Sequence, residues 1–130
     1  MPVLVDTSAW IDYFRKSEFS DVLESLLSDN DILTNDLILA ELIPFLEVQK
    51  QNTLISLLEQ VERLSLKIHW EGIIYFQVRC IQKGFNGLGI PDLIIAQNAI
   101  QNSVPILSKD KHFSMLKEAV GLELYLAIEK

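Results

Sequence analysis

The feature that most restricts the fold is a repeated alternation of two patterns. Short, wholly apolar runs are separated by longer segments with apolar residues every three or four positions. Pro2–Asp6 (PVLVD), Ile32–Thr34 and Val104–Leu107 (VPIL) are runs of the first kind. Strands with one wet face would show polar alternation, so these runs predict strands covered on both sides. Leu64–Ile68 alternates and predicts a further strand, with Leu122–Leu126 as a candidate fifth. Ala9–Lys16, Asp21–Ser28, a segment opening at Asp36, a segment spanning Leu54 to Val61, Trp70–Lys83, Asp92–Ile100 and Phe113–Val120 carry the helical period. Thr7 and Ser8 are good N-caps for the first of these. Pro44 should kink or end the third, and Pro91 stands where a helix favours proline. Gly84, Gly87 and Gly89 mark a loop. Strands alternating with helices predict an α/β domain with a mostly parallel sheet of roughly five strands. No linker or low-complexity tract divides the 130 residues, so a single domain spanning 1–130 is expected.

Composition narrows the class. Asp6 and Asp12 interrupt the apolar amino end, which lacks a basic leader, so a signal peptide is not expected. No run reaches the 18 apolar residues of a membrane span. The single Cys80 allows no internal disulfide and fits a reducing cytoplasm. Its apolar helical surroundings predict a core thiol. The net charge of −7 is unfavourable for binding nucleic acid. It is either a device for solubility or a sign that carboxylates converge to hold cations.

Four carboxylates favour the second reading. Asp6 ends the first strand, and Asp110 lies just beyond the strand at Val104–Leu107. Both therefore belong at the carboxyl edge of the sheet, where open α/β sheets place their sites. Asp92 opens a helix, and Glu41 sits within the helix after the second strand. Each has an ordinary structural use: a helix cap for Asp6, the macrodipole for Asp92, an Asx-turn for Asp110, a solvated position for Glu41. Asp6, Glu41 and Asp92, however, stand in strongly apolar surroundings with no basic residue in the same segment. A partly buried carboxylate must be paired, protonated or bound to metal. Oxygen ligands without a Cys/His cluster favour Mg²⁺ or Mn²⁺ over zinc.

DTSAWIDYF, LAEL, IPDLIIAQNA and SKDKHF, in that order, resemble the four signature blocks of PIN domains, and the resemblance covers nearly the whole chain. It implies a three-layer α/β/α fold and an acidic Mg²⁺ or Mn²⁺ site at Asp6, Glu41, Asp92 and Asp110. It also implies hydrolysis of RNA phosphodiester bonds to a 5′-phosphate and a 3′-hydroxyl. Ser108 stands where the family usually has Thr, as a hydroxyl supporting the site. Thr7 and Ser8 are the candidates for a similar role in the first block. Compact members resemble VapC-type toxins, which implies cytoplasmic action, a small antitoxin partner and a homodimer.

Arg15, Lys16, Lys83, Lys109 and Lys111 flank these blocks and are candidates for phosphate contacts, with plain solvated surface as the alternative. Trp10 and Phe14, one turn apart, fit the core better than base stacking. His112 has no partner at metal-ligand spacing and reads as a turn or packing residue, and His69 offers less still. A phosphatase of the haloacid dehalogenase type would need a second Asp at the position held by Ser8. An RNA-processing nuclease outside a toxin pair, or a catalytically silent PIN-like scaffold, would share the pattern.

Overall fold

The computed structural model describes residues 1–125. β1 (Val3–Val5), β2 (Ile32–Thr34), β3 (Glu62–Arg63) and β4 (Ile106–Leu107) form one parallel sheet in the order β3-β2-β1-β4. Every residue of β1, β2 and β4 is buried, as their unbroken apolar character requires. Leu4 pairs with both Leu33 and Ile106, which puts β1 at the centre.

The helices are α1 (Thr7–Phe14), α2 (Ser20–Ser28), α3 (Asp36–Val48), α4 (Asn52–Glu59), α5 (Trp70–Gln82), α6 (Ile90–Gln101) and α7 (Lys111–Val120). The chain steps outward from β1 to β2 to β3, then crosses back to β4 on the far side of β1. Right-handed crossovers then place α1–α4 on one face and α5–α7 on the other. The packing agrees: α1 lies on α2 and α3, α3 on α4, while α5, α6 and α7 pack against one another. This is the expected three-layer α/β/α arrangement. α6 is its deepest helix, buried at every position from Leu93 to Ala99. The reversal in strand order falls between β1 and β4, so their carboxyl ends flank a topological switch point.

Several expectations change. The sheet has four strands among the described residues, not roughly five. Of Leu122–Leu126, Leu124 makes a single parallel bridge to Ile106, and Leu126 lies outside the described residues. The third strand is the exposed pair Glu62–Arg63 rather than Leu64–Ile68. The reason lies in α6, whose side chains take up the backbone of that segment. Asn98 Nδ2 donates to the Ser65 carbonyl at 3.1 Å and Gln101 Nε2 to that of Lys67 at 2.9 Å. Gln97 accepts from the His69 N–H and donates to the His69 carbonyl, both at 3.0 Å. A ladder of side chains replaces a ladder of strands.

Pro44 neither ends nor interrupts α3, which continues to Val48. Pro44 and Ala40 are both exposed, so the Ala40 carbonyl left without its donor faces water. Buried Leu42 and Leu46 hold the helix in register across the proline. Cys80 is buried in the core as expected, and burial pushes its thiol pKa up. Trp10 is wholly buried and stacks on Phe14 with ring centroids 5.9 Å apart, which removes it as a platform for bases. α5 presents an uncharged exposed stripe of Trp70, Ile74, Val78 and Ile81. No helix among the described residues is long and apolar enough to cross a membrane.

Candidate active site

The site begins with the cap of α1. Asp6 leaves β1 in extended conformation and accepts the Ser8 N–H at 3.3 Å, so Asp6 caps the helix instead of Thr7 or Ser8. α1 therefore starts at Thr7, earlier than the pattern indicated. The two hydroxyls released from capping both serve the acids. Thr7 Oγ1 donates to Glu41 Oε1 at 2.9 Å, and Ser8 Oγ donates to Asp6 Oδ2 at 2.9 Å. The choice between Thr7 and Ser8 thus dissolves, since each supports a different carboxylate.

Ser108, directly after β4, closes the gap between the two central strands. Its hydroxyl donates to Asp6 Oδ2 at 2.9 Å and lies 3.0 Å from Ser8 Oγ. The Asp110 N–H donates to Ser108 Oγ at 2.9 Å. Asp110 in turn caps α7 by accepting the His112 N–H at 2.9 Å. Asp92 occupies the first turn of α6, behind the Gly89 cap and Pro91. Capping and site-building are therefore the same act for Asp6 and Asp110.

All four acids are brought to the switch point. Burial raises the pKa of Asp6, and the hydrogen bonds from Ser108 and Ser8 only partly oppose it. Glu41 is exposed on α3 rather than embedded in apolar surroundings, yet partial desolvation at the site raises its pKa against the Thr7 hydrogen bond, and the charges of Asp6 and Asp92 push it further. Asp92 and Asp110 come together with an unexpected third member. His112 Nδ1 lies 2.8 Å from Asp92 Oδ2 and 3.5 Å from Asp110 Oδ1. Ligand atoms of Asp92, Asp110 and His112 all lie within 4.8 Å of one another. His112, expected as a turn or packing residue, does stand in the turn that opens α7, and its ring also reaches both acids. The contact with Asp92 spans 20 residues of sequence, so no local spacing could announce it.

Among the described residues, no Lys or Arg forms an ion pair with Asp6, Glu41, Asp92 or Asp110. Converging carboxylates without a Lys or Arg partner suit a hard divalent ion, with carboxylate oxygens as its natural donors. The donor set fits Mg²⁺ or Mn²⁺ on chemistry alone.

The basic residues divide. Lys109 is held by Asp12 at 3.2 Å and Glu18 at 2.9 Å, so it is committed to protein acids rather than free for phosphate. Asp12, buried, was not legible as a structural residue. It accepts the Phe19 N–H and, with Lys109, ties the α1–α2 turn to the loop after β4. Burial pushes its pKa up, but the Phe19 and Lys109 contacts win and bring it below the ordinary value. Arg15 lines an open cleft with Ser8, Ile11, Asp12, Ser17 and Lys109. Arg15, Lys16, Lys83 and Lys111 are exposed and make no ion pair among the described residues. His69 caps α5, its Nδ1 accepting the Gly72 N–H at 3.2 Å.

Fold and site together define a class: a parallel α/β domain whose switch point between two central strands is lined with carboxylates. The chain belongs to the PIN domain family, whose sequence pattern matches residues 3–119. It is 33% identical over 126 residues to a protein named Ribonuclease VapC1 from Methanocaldococcus jannaschii, covering 95% of this chain and 86% of that one. Its fold is shared with the crystal structure of VapBC2 from Rickettsia felis bound to a promoter DNA fragment, at a TM-score of 0.74 and 23% identity, covering 95% of this chain and 97% of that chain. The DNA-bound VapBC structure from Salmonella typhimurium gives the same TM-score of 0.74 at 16% identity, over 95% and 96% of the two chains.

Proposed function

We propose that this protein is a Mg²⁺- or Mn²⁺-dependent endoribonuclease, the toxin of a type II toxin–antitoxin pair acting in the cytoplasm. The observation that carries the reading is the convergence of Asp6, Glu41, Asp92 and Asp110 without a Lys or Arg partner among the described residues. Membership of the PIN family and the relative named as a ribonuclease support RNA as the substrate. The VapBC complexes support a small antitoxin partner. A homodimer of this chain would bury the uncharged α5 stripe, which lets two copies of net charge −7 meet without opposing charges.

In this reading Asp6, Asp92 and Asp110 would hold the ion directly or through water, and Glu41 would hold it or orient a water. The chemistry such an ion would supply when bound is a lowered pKa for water and an offset to the phosphate's charge. The protein's own part is positioning. Ser8 and Ser108 fix one oxygen of Asp6, and Thr7 fixes Glu41, so the acids meet the ion already oriented. Arg15, Lys16 and Lys111 are the candidates to hold flanking phosphates, with Lys109 available only by giving up Asp12 and Glu18.

The test is incubation with total cellular RNA and Mn²⁺ or Mg²⁺, followed by mapping of new ends. Discrete cuts bearing 5′-phosphates should appear, and should vanish with EDTA or with Asp92→Asn. Asp92→Asn should leave the fold intact, because Asp92 is only partly buried in the first turn of α6 and an amide of the same shape can still meet His112 Nδ1. A variant that still cuts at the wild-type rate would overturn the assignment. Growth arrest on expression, relieved by a neighbouring small gene, separates a toxin from an RNA-processing enzyme.

A further inference from the structure

We propose that His112 is itself a ligand of the metal, through Nδ1, together with Asp92 and Asp110. This rests on the metal site proposed above and names a member that the four acids do not include. An imidazole ligand makes part of the site nitrogenous and biases it toward Mn²⁺ over Mg²⁺.

The geometry is the argument. Two neighbouring ligands of one octahedral ion, each about 2.1 Å from it, stand about 3.0 Å apart. His112 Nδ1 lies 2.8 Å from Asp92 Oδ2 and 3.5 Å from Asp110 Oδ1, which brackets that spacing on both sides. The three groups come from two elements, the first turn of α6 and the start of α7, and they are all partly buried. A hydrogen bond to Asp92 alone would account for the 2.8 Å contact; the second carboxylate at 3.5 Å on the same nitrogen is what a shared ion explains. The His112 N–H donates to Asp110 Oδ1 at 2.9 Å, which keeps the start of α7 beside that carboxylate. The opposite ring nitrogen, Nε2, faces Gly87, where even an added Cβ would sit 3.9 Å away. Nδ1 is thereby left for the acids.

The chemical consequence follows from ligand type. Mg²⁺ is bound through carboxylates and retained waters. Mn²⁺ stands at the weak end of the transition-metal order for nitrogen donors but is a softer ion than Mg²⁺, so exchanging one oxygen donor for nitrogen penalises Mg²⁺ more than Mn²⁺.

Pulsed electron paramagnetic resonance on the Mn²⁺-loaded full chain at pH 8 reads this contact directly. Wild type and His69→Ala should show coupling of a directly bound imidazole nitrogen, and His112→Ala should not. Growth on ¹⁵N-histidine should change the coupling in the unsubstituted protein, which needs no variant to fold. Titration calorimetry should show Mn²⁺ affinity falling roughly tenfold or more in His112→Ala, with a smaller change for Mg²⁺. Mn²⁺ bound without nitrogen coupling overturns the proposal and leaves the acidic site standing. Coupling that persists in His112→Ala also overturns it. Failure to bind Mn²⁺ at all overturns both readings together.

Discussion

Asp6 and Glu41 carry the clearest residue-level consequence. Burial raises both pKa values, so in the metal-free fold each carboxylate is harder to ionise than in the unfolded chain. Their charge costs stability above the raised values, and the cost is lifted as the pH falls through them. Asp12 works in the opposite sense. Its lowered pKa contributes stability above the ordinary value of 3.8, and that contribution is lost as the pH falls through the lowered value. Thermal melts in EDTA should therefore show a melting temperature that rises on mild acidification from neutral pH and falls in strong acid. Asp6→Asn with Glu41→Gln should remove the mild-acid rise, and a rise that survives the pair would assign it to other groups. Asp6, Glu41 and Asp92 were legible as candidates because each breaks or borders an apolar run with no local cation, and Asp110, flanked by Lys109 and Lys111, because it follows an apolar strand at the sheet's carboxyl edge. His112 was not, because its nearness to Asp92 exists only after α6 and the return through β4 bring the start of α7 back beside it.

At the scale of elements, α6 does more than span a layer. Its Gln97, Asn98 and Gln101 bind the backbone of residues 65–69 and deny that stretch to the sheet. Asn98 is the centre of this arrangement. Its Oδ1 accepts from Asn35 Nδ2 at 2.9 Å, and Asn35 caps α3, the helix that carries Glu41. Asn98→Ala leaves the Asn35 amide and the Ser65 carbonyl without these partners. The expected cost is about 1–3 kcal/mol, measured by urea unfolding. A change within a few tenths of a kcal/mol would show that water replaces both bonds. Periodicity located α6 and its neighbours because apolar spacing is local. It misplaced β3 because the choice between sheet partner and side-chain partner is made by a helix about thirty residues further on.

Across the whole molecule, the acids come from β1, α3, α6 and the start of α7, elements scattered from Asp6 to Asp110. An ion held among them would add a further link to the hydrogen bonds that already join these parts of the chain. Mn²⁺ at 100 times its dissociation constant should stabilise the fold by about 2.7 kcal/mol. For a domain of this size that shifts the melting temperature by roughly 5–15 °C. Differential scanning calorimetry with and without Mn²⁺ measures it. Asp92→Asn should lose most of the shift, and a full shift in that variant would place the ion elsewhere.

The apolar runs, the helical period and the isolated carboxylates determine a parallel α/β domain with acids at its strand ends, because burial and charge pairing act through neighbours in sequence. The tertiary structure alone decides how many strands close the sheet and that Asp6 caps α1, which frees Thr7 and Ser8 for the acids. It also commits Lys109 to Asp12 and Glu18, and brings His112 to Asp92. Each of these depends on which hydrogen-bond partner lies nearest after distant segments pack. That is a property of geometry between elements, and no run of adjacent residues encodes it.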